Sequence, residues 1–187
     1  MADKKIILAS TSPRRRELLA RMGYEFTCDA PEVDENVDGH AADIVALLSA
    51  RKARAAAGKY SEGIIIASDT LVSLDGKGLG KPVDEEDARR MLRALSGRTH
   101  EVFSGVCMID ASTGGEETQV ARTGVIFREL TDEEIDGYIA SGEPMDKAGA
   151  YGIQGGAGKF VTGLDGSFEN VMGFPVDIVE EMLKRFL

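Results

Sequence analysis

The sequence predicts an α/β protein in which short apolar strands and amphipathic helices alternate along the whole chain. Residues 63–67 form a continuous apolar run, which is typical of a strand covered on both faces. Residues 102–109 and 120–127 indicate a long antiparallel pair, because a Thr-Gly-Gly turn lies between two strand-like stretches. A chain of 187 residues can bury a substantial core, and we expect a single domain over residues 1–187, or two lobes that share one sheet.

The ends of the first helix are marked by the sequence. The apolar residues 6–8 suit a buried strand, and Ser12 is a favourable N-cap for the helix that follows. Pro13 suits the first helical position, and Gly23 suits the C-cap after Met22. The next predicted elements are a strand with alternating Tyr24, Phe26 and Cys28, an acidic loop over residues 31–39, a helix over residues 42–57 closed by Gly58, and the strand of residues 63–67, which is expected to end at Ser68-Asp69-Thr70.

Turn-forming and capping residues also divide the second half of the chain. Its predicted elements are, in order, a hairpin at Asp75-Gly76, a helix over residues 85–95 capped by Asp84 and ended by Gly97, the antiparallel pair, a helix from a Thr131/Glu134 capping box to Ala140, a glycine-rich segment over residues 149–163, and a final helix from about Pro175 to Phe186.

Composition and charge exclude several classes of protein. The net charge of −10 argues against binding of long nucleic acids, although a small polyanion with a divalent cation remains compatible with it. No apolar run is long enough for a membrane span or a signal peptide. Cys28 and Cys107 have no metal-site spacing and are expected to be buried thiols in a reducing cytoplasm. His40 and His100 lack an acidic partner at a useful spacing, so both are expected to be surface or structural residues.

The start of the first helix is a candidate anion site. Arg14, Arg15 and Arg16 fill its first turn, where the helix macrodipole disfavours cations, so that three together require a reason. The free amides of a helix start attract anions, and the arginines stand beside them. The alternative is an ordinary surface helix with a solvated basic first turn.

Two carboxylates are candidates for catalysis or metal binding. Asp69 is expected directly after the most buried strand, and ligand sites of α/β sheets gather at such strand ends. The alternative for Asp69 is a turn-forming role, and the alternative for Glu35, in the acidic loop, is a solvated surface carboxylate. Brought together, the two would suit Mg²⁺ or Mn²⁺, which prefer oxygen ligands and retain waters and phosphates.

Two lysines and a glycine-rich loop supply further candidates. Lys81 lies in a glycine-rich turn that would let it approach a phosphate, although the P-loop pattern is absent there. Lys52 taken alone is more typical of a solvated helix cation. The small residues of 142–155 would let the backbone approach a ligand, and Gln154 suits recognition of a base edge. The alternative for this segment is a structural loop that wraps the end of the sheet.

Taken together, these stretches resemble the Maf family of nucleoside triphosphate pyrophosphatases, also called septum formation inhibitor proteins. The resemblance covers nearly the whole chain, and its motifs occur in the family's order. They are Leu8-Ala9-Ser10-Thr11-Ser12-Pro13-Arg14-Arg15, Val33-Asp34-Glu35, Ala50-Arg51-Lys52-Ala53, Ser68-Asp69-Thr70, Gly80-Lys81-Pro82, Leu95-Ser96-Gly97-Arg98-Thr99-His100 and Asp146-Lys147-Ala148-Gly149-Ala150-Tyr151-Gly152-Ile153-Gln154-Gly155.

The resemblance implies hydrolysis of the α–β phosphoanhydride of a nucleoside triphosphate to the monophosphate and pyrophosphate. It makes Asp69 the general base and implies a divalent metal cofactor (Mg²⁺, Mn²⁺ or Co²⁺) at Glu35 and Asp69. Lys52 and Lys81 complete the catalytic set that it implies. The positions that match the family's substrate-binding residues are Ser10, Arg14, Arg15, Thr70, Lys147 and Gln154.

The resemblance also implies a subfamily and a fold. Arg14, Thr70 and Gln154 fall on the family's specificity positions and resemble the subfamily that acts on dTTP and UTP rather than on 7-methyl-GTP. The implied fold is a central, mixed, twisted sheet flanked by helices, with a cleft between two lobes. Related folds are often dimeric, so a homodimer is an expectation.

Phosphoanhydride hydrolysis requires charge neutralisation and an aligned water more than covalent chemistry. We expect Asp69 to orient or deprotonate that water, with Glu35 and Asp69 binding the metal or its waters. The triphosphate is expected to be held by Arg14, Arg15, Lys52 and Lys81. Two other classes stay open, namely a phosphatase that removes the terminal phosphate and a nucleotide-binding regulator of cell division without turnover. Asp69 and Glu35 weigh against a pure binder, since anion binding has no use for carboxylates that face phosphates.

Overall fold

A mixed sheet of seven strands runs through the described part of the chain, residues 4–187 of a computed structural model. The strands are β1 (Ile6–Leu8), β2 (Phe26–Cys28), β3 (Ile64–Leu74), β4 (Lys77–Leu79), β5 (Thr99–Asp110), β6 (Glu116–Phe127) and β7 (Val161–Asp165). The helices are α1 (Pro13–Arg21), α2 (Ala41–Ala57), α3 (Glu85–Leu95), α4 (Asp132–Ala140), α5 (Phe168–Val171) and α6 (Val176–Phe186). The 3₁₀ turns are Glu143–Asp146, Ala148–Ala150 and Gly156–Phe160. Among the described helices, none combines the length and the apolarity needed to span a bilayer.

The strand order is β2-β1-β3-β5-β6-β7, with β4 paired to β3. β1 runs parallel to both of its neighbours, whereas the other pairings are antiparallel. The predicted α/β class with a central mixed sheet is therefore confirmed. The predicted hairpin joins β3 to β4 through Asp75 and Gly76, whose φ angles of 52° and 77° are the positive pair that a tight two-residue hairpin requires.

Alternate residues of the central strands enter two separate cores, one on each face of the sheet. On one face, Ile65 packs with small side chains of α2 such as Ala53. On the other face, Ile64 and Ile66 belong to a larger core to which α1, α3, α4 and α6 contribute. The prediction that this strand is covered on both faces is confirmed.

The caps of α3 and α4 are those that the sequence predicts. Asp84 accepts a hydrogen bond from the backbone N–H of the third residue of α3, at 2.7 Å. Thr131 and Glu134 form a reciprocal capping box at the start of α4. Ser12 does occupy the N-cap position of α1 but makes no side-chain capping bond, and its backbone N–H donates to Ser10 Oγ at 3.2 Å.

The predicted end of β3 is wrong. The strand does not stop at residues 68–70 but continues to Leu74. The reason is that Asp69 and its neighbours keep pairing with β5, where Asp69 lies opposite Gly105.

The predicted burial of both thiols is only half right. Cys107 is buried in the middle of β5, but Cys28 is exposed. Cys28 ends β2, which is an edge strand and therefore has a neighbouring strand on one side only.

Candidate active site

A cleft of about 1070 Å³ opens where the β1–α1 connection meets β3 and the glycine-rich segment. The acidic loop before α2 and one side of α2 also line it. Its lining includes every site residue expected from the sequence, namely Ser10, Arg14, Arg15, Glu35, Lys52, Asp69, Thr70, Lys81, Lys147 and Gln154. Side chains from widely separated parts of the chain therefore meet in one cleft.

An ammonium group held between two carboxylates lines this cleft. Lys52 Nζ lies 2.6 Å from Asp69 Oδ1 and 2.7 Å from Glu35 Oε1. The side chains of Lys52 and Asp69 are each 14% exposed, whereas that of Glu35 is 61% exposed. The cluster therefore has a shielded end at Asp69 and an open end at Glu35.

β3 carries Asp69 into the cleft because it is longer than β1. The parallel pairing of the two strands ends with Leu8 opposite Ile66, and β3 continues past that point. Ligands collect at the carboxyl ends of parallel strands, and here that end belongs to β1. Asp69 stands beside it, inside the neighbouring strand rather than at its end.

Gly105 allows α2 to bring Lys52 to Asp69. A Cβ on Gly105 would lie 2.2 Å from the backbone O of Val45, so α2 packs directly on the backbone of β5. Val45 and Lys52 are seven positions apart, which is about two helical turns, and they therefore share a face of α2. The close approach of α2 to β5 sets how far the Lys52 ammonium reaches.

Arg15 links three parts of the cleft wall. Its Nε donates to Gly173 O at 2.9 Å, Nη1 donates to Ser10 Oγ at 3.3 Å, and Nη2 donates to Thr70 Oγ1 at 3.2 Å. Burial lowers the pKa of Arg15 from its ordinary value, while the Asp69 carboxylate acts in the opposite direction. The guanidinium remains a cation, because an arginine is not deprotonated in proteins. Arg15 therefore holds the wall together as well as adding positive charge.

The other arginines of the first turn of α1 point in different directions. Arg14 lines the cleft, and its Nε donates to Met172 O at 3.3 Å. Within residues 4–187 its two Nη groups have no hydrogen-bond partner, so they are free to bind an anion. Arg16 is exposed and lies outside the cleft lining. The anion site therefore stays a prediction for Arg14 and Arg15, which line the cleft, whereas the solvated alternative describes Arg16.

Lys147, Lys81 and Gln154 have hydrogen-bond donors that no described protein group accepts. Lys147 Nζ donates to Glu143 O and to Asp146 Oδ1, each at 2.8 Å, which leaves one of its three protons for a ligand. Lys81 and Gln154 are exposed and line the cleft. Across the described residues, the side chains of Lys81 and Gln154 form no hydrogen bond or ion pair with the protein.

Glu35 lies in the field of several cations. Its contact with Lys52 lowers the pKa of Glu35 below the ordinary value of 4.5, and the charges of Lys81 and Arg15 lower it further. Glu35 is therefore ionised at neutral pH, because the nearby cations stabilise its negative charge.

The two carboxylates have the chemistry of a divalent cation site. Glu35 and Asp69 direct oxygen ligands at one point, where Lys52 Nζ now lies. Mg²⁺ and similar ions bind through one or two carboxylates together with waters and substrate phosphates. Among residues 4–187, no group of three or more His, Cys, Asp or Glu side chains has a metal-binding arrangement. Substrate oxygens and waters would therefore complete the ligand set.

Several contributors to the cleft are not visible in the local sequence pattern. The carbonyl groups of Met172 and Gly173 hold the arginines of α1, although they are 158 positions away along the chain. Ser104 Oγ lies 2.8 Å from Thr70 Oγ1, and Glu143 lines the cleft beside Lys147. The sequence signal is the glycine at position 173, because its φ of 105° is a conformation that other residues rarely adopt.

Several known proteins are similar in sequence to this chain over nearly its whole length. The chain is 50% identical to the dTTP/UTP pyrophosphatase of Moorella thermoacetica, over 97% of this chain and 95% of that protein. It is 46% identical to the dTTP/UTP pyrophosphatase of Bdellovibrio bacteriovorus, over 97% and 98% of the two chains. It is 50% identical to the dTTP/UTP pyrophosphatase of Carboxydothermus hydrogenoformans, over 92% and 93%.

One solved structure, protein VC0702 from Vibrio cholerae, aligns with 74% of this chain and 67% of its own chain. The alignment has a TM-score of 0.37 and 10% sequence identity, which is too weak to inform the fold. The family model described as Maf-like protein matches residues 5–186. Together with the level of identity to the three relatives, this match shows that the chain belongs to the Maf family.

Proposed function

We propose that this protein hydrolyses a nucleoside triphosphate between its α and β phosphates, releasing the monophosphate and pyrophosphate, with dTTP and UTP as preferred substrates. The names of the three relatives support this reaction. The observation that carries the proposal is the Lys52 ammonium held between Asp69 and Glu35, inside a cleft that also has free cationic donors. Such a cleft can bind phosphates and present a carboxylate to water in the same place.

Free cationic donors would bind the triphosphate. Arg14 has two free Nη groups, Lys147 has one free proton and Lys81 is exposed to the cleft. The first backbone N–H groups of α1 have no intrahelical partner and add to this set. A hydrogen bond to a charged group contributes about 1.5–3 kcal/mol, so a few such contacts hold a triphosphate firmly. Phosphoryl chemistry depends mainly on this kind of charge neutralisation and positioning.

Asp69 would orient or deprotonate the attacking water. Its Oδ1 accepts a hydrogen bond from Lys52, and within the part of the chain that the structure describes its Oδ2 has no partner. The free oxygen can accept the proton of the water as the water oxygen bonds to phosphorus and pyrophosphate leaves. Lys52 meanwhile fixes the direction of the carboxylate.

A divalent cation, Mg²⁺, Mn²⁺ or Co²⁺, would be held by Glu35 and Asp69. When bound, such an ion supplies positive charge to phosphate oxygens and makes a bound water more acidic. Lys52 Nζ fills the point between Glu35 Oε1 and Asp69 Oδ1, so a cation would bind beside it through the other carboxylate oxygens or through waters.

Base preference would depend on groups that can reach a base edge. Thr70 Oγ1 is already bonded to Arg15 and Ser104, whereas the amide of Gln154 and the Nη groups of Arg14 are free within residues 4–187. A site that recognises a base by hydrogen bonds discriminates strongly, because the wrong base leaves buried groups unpaired. Gln154 and Arg14 are therefore the groups to contact the base directly, with Thr70 supporting the wall.

The proposed setting is the cytoplasm, and the proposed assembly is a homodimer. Both cysteines are free thiols, which suits a reducing compartment. Light scattering on the purified protein tests the assembly.

The Asp69→Asn variant tests the proposal. It should lower kcat for pyrophosphate release from dTTP by about 100-fold or more, because the amide cannot take up the proton. Asp177→Asn is the matched control, since Asp177 is an exposed carboxylate on α6 outside the cleft. Near-normal turnover in Asp69→Asn would remove Asp69 from the reaction.

The products separate the proposed reaction from its alternatives. Wild-type protein with Mg²⁺, Mn²⁺ or Co²⁺ should release pyrophosphate from dTTP and UTP, and a chelator should stop the release. Release of orthophosphate alone would identify a phosphatase. Binding of dTTP without either product would identify a regulator that does not turn nucleotide over.

A further inference from the structure

The segment between α4 and β7 carries two of the cleft's polar candidates, Lys147 and Gln154. It contains three short 3₁₀ turns instead of a long helix or strand. Short turns supply few repeating backbone hydrogen bonds, so other contacts must fix the position of these two side chains.

Tyr138, near the end of α4, is buried beneath this segment. Its ring meets the ring of Phe160 edge to face, with the centroids 5.5 Å apart. Its hydroxyl accepts a hydrogen bond from Gly152 N at 3.0 Å and donates one to Glu143 Oε1 at 2.8 Å. Burial raises the pKa of Tyr138 above its ordinary value, and the Glu143 carboxylate acts in the same direction. The hydroxyl therefore keeps the proton that it donates.

Glu143 holds the segment through its side-chain carboxylate and through its backbone carbonyl. Oε1 accepts from Tyr138, and Oε2 accepts from Gly156 N at 3.1 Å. The backbone carbonyl of Glu143 accepts from Lys147 Nζ at 2.8 Å. With both carboxylate oxygens bonded to the protein, Glu143 is suited to holding the segment rather than to binding substrate.

Gly152 and Gly155, which lie on either side of Gln154, let the side chains of Lys147 and Glu143 pack directly against their backbone. A Cβ on Gly155 would lie 2.0 Å from Glu143 Oε1, and one on Gly152 would lie 2.7 Å from Lys147 Cε. Neither glycine has a positive φ, so a side chain at either position would displace Glu143 or Lys147 rather than strain the backbone.

We propose that Tyr138 and Glu143 are positioning residues for nucleotide recognition, acting through Gln154 and Lys147. Their bonds hold the backbone two residues before and two residues after Gln154, and they fix one proton of the Lys147 ammonium. The inference rests on the proposed function, because the nucleotide is what Gln154 and Lys147 would contact.

The test compares Tyr138→Phe, Glu143→Ala and Glu143→Gln in the full-length protein. We expect Tyr138→Phe and Glu143→Ala to raise KM for dTTP about tenfold, as loss of one or two hydrogen bonds predicts, with kcat changed less than about threefold. Both should also weaken the preference for dTTP over dGTP. Glu143→Gln keeps an oxygen that can accept from Gly156 N, so it should recover most of the loss.

Two further measurements separate positioning from general damage. Tyr138→Phe keeps the ring on Phe160, and the amides of residues 152 and 156 should exchange hydrogen faster in it than in wild type. The double variant Tyr138→Phe/Glu143→Ala should be no worse than the more impaired single variant, since the two residues act as one unit. The controls are Tyr24→Phe and Glu180→Ala, which remove the same groups outside the cleft.

Each contrary result has a distinct meaning. Unchanged KM, nucleotide ranking and amide exchange in Tyr138→Phe would overturn the inference and leave the proposed function standing. An equal loss of kcat in Glu143→Gln and Glu143→Ala would overturn it in favour of a direct charge role for Glu143. No pyrophosphate release by the wild-type protein would refute the proposed function and, with it, the role of Tyr138 and Glu143 in recognition.

Discussion

Replacing Gly105 with alanine should push α2 away from the sheet and separate Lys52 from Asp69. The added Cβ would lie 2.2 Å from Val45 O and 2.5 Å from Val45 C. Ordinary contact begins at 3.4 Å, and these neighbours are backbone atoms that cannot turn aside. Because the interior is close-packed, α2 or β5 must move by about 1.2 Å to accept the methyl group.

The size of the effect follows from that displacement. Lys52 Nζ now lies 2.6 Å from Asp69 Oδ1, and a movement of about 1.2 Å carries the pair beyond hydrogen-bond distance. Misplacing a catalytic group by about 1 Å lowers turnover by about 100-fold. Overpacking of this kind costs about 1–3 kcal/mol, which in a domain of this length lowers Tm by roughly 2–12 °C.

The assay pairs calorimetry with pyrophosphate release from dTTP, measured well below the Tm of each variant. Gly124→Ala is the matched control. Gly124 is also a buried strand glycine, but a Cβ there would approach no atom closer than 3.4 Å, so its Tm and turnover should stay near those of wild type.

Two results would refute this reasoning. If Gly105→Ala matched Gly124→Ala in both Tm and turnover, the contact of α2 with β5 would not control the position of Lys52. A lowered Tm with normal turnover would show that the contact matters for stability only.

Two other predictions concern charge and accessibility. The Arg128 side chain lowers the pKa of Glu134 from 4.5 to about 2, so the stabilisation from that carboxylate is present above pH 4.5 and is lost as the pH falls towards 2. The difference in urea midpoint between wild type and Glu134→Gln should therefore become smaller from pH 4.5 to pH 2. A difference that stays constant over this range would contradict the prediction. Iodoacetamide should label Cys28 but not Cys107 in the folded protein. Cys28 is exposed, whereas burial raises the pKa of the Cys107 thiol to about 11. Labelling of Cys107 before unfolding would contradict this prediction.

Local pattern was enough to predict most of the elements and their caps. Asp84 and the Thr131–Glu134 pair act within one helical turn, so their roles follow from neighbouring residues alone. The length of β3 did not follow in this way. Ser68-Asp69-Thr70 resembles a turn by itself, and only the antiparallel partner β5 keeps it extended.

The members of the cleft followed from the family motifs, but their contacts did not. Spacing alone made Lys52 a solvated cation, because its two carboxylate partners come from a distant loop and a distant strand. The close packing at Gly105 likewise depends on a helix 60 positions earlier, at Val45, and a glycine inside a strand gives no sign of which element covers it. Nor does local sequence tell that Arg15 bonds mainly to the protein itself.

The hydrogen bonds from Arg14 and Arg15 to the carbonyl groups of Met172 and Gly173 join the start of the chain to residues that are synthesised late. During synthesis, the first strand and helix leave the ribosome long before those two acceptors exist. A nascent chain that has not reached residue 172 lacks the two carbonyl groups that accept from the Nε of Arg14 and the Nε of Arg15. The wall of the cleft that these arginines form therefore reaches its final geometry only after residues 172 and 173 have joined the fold.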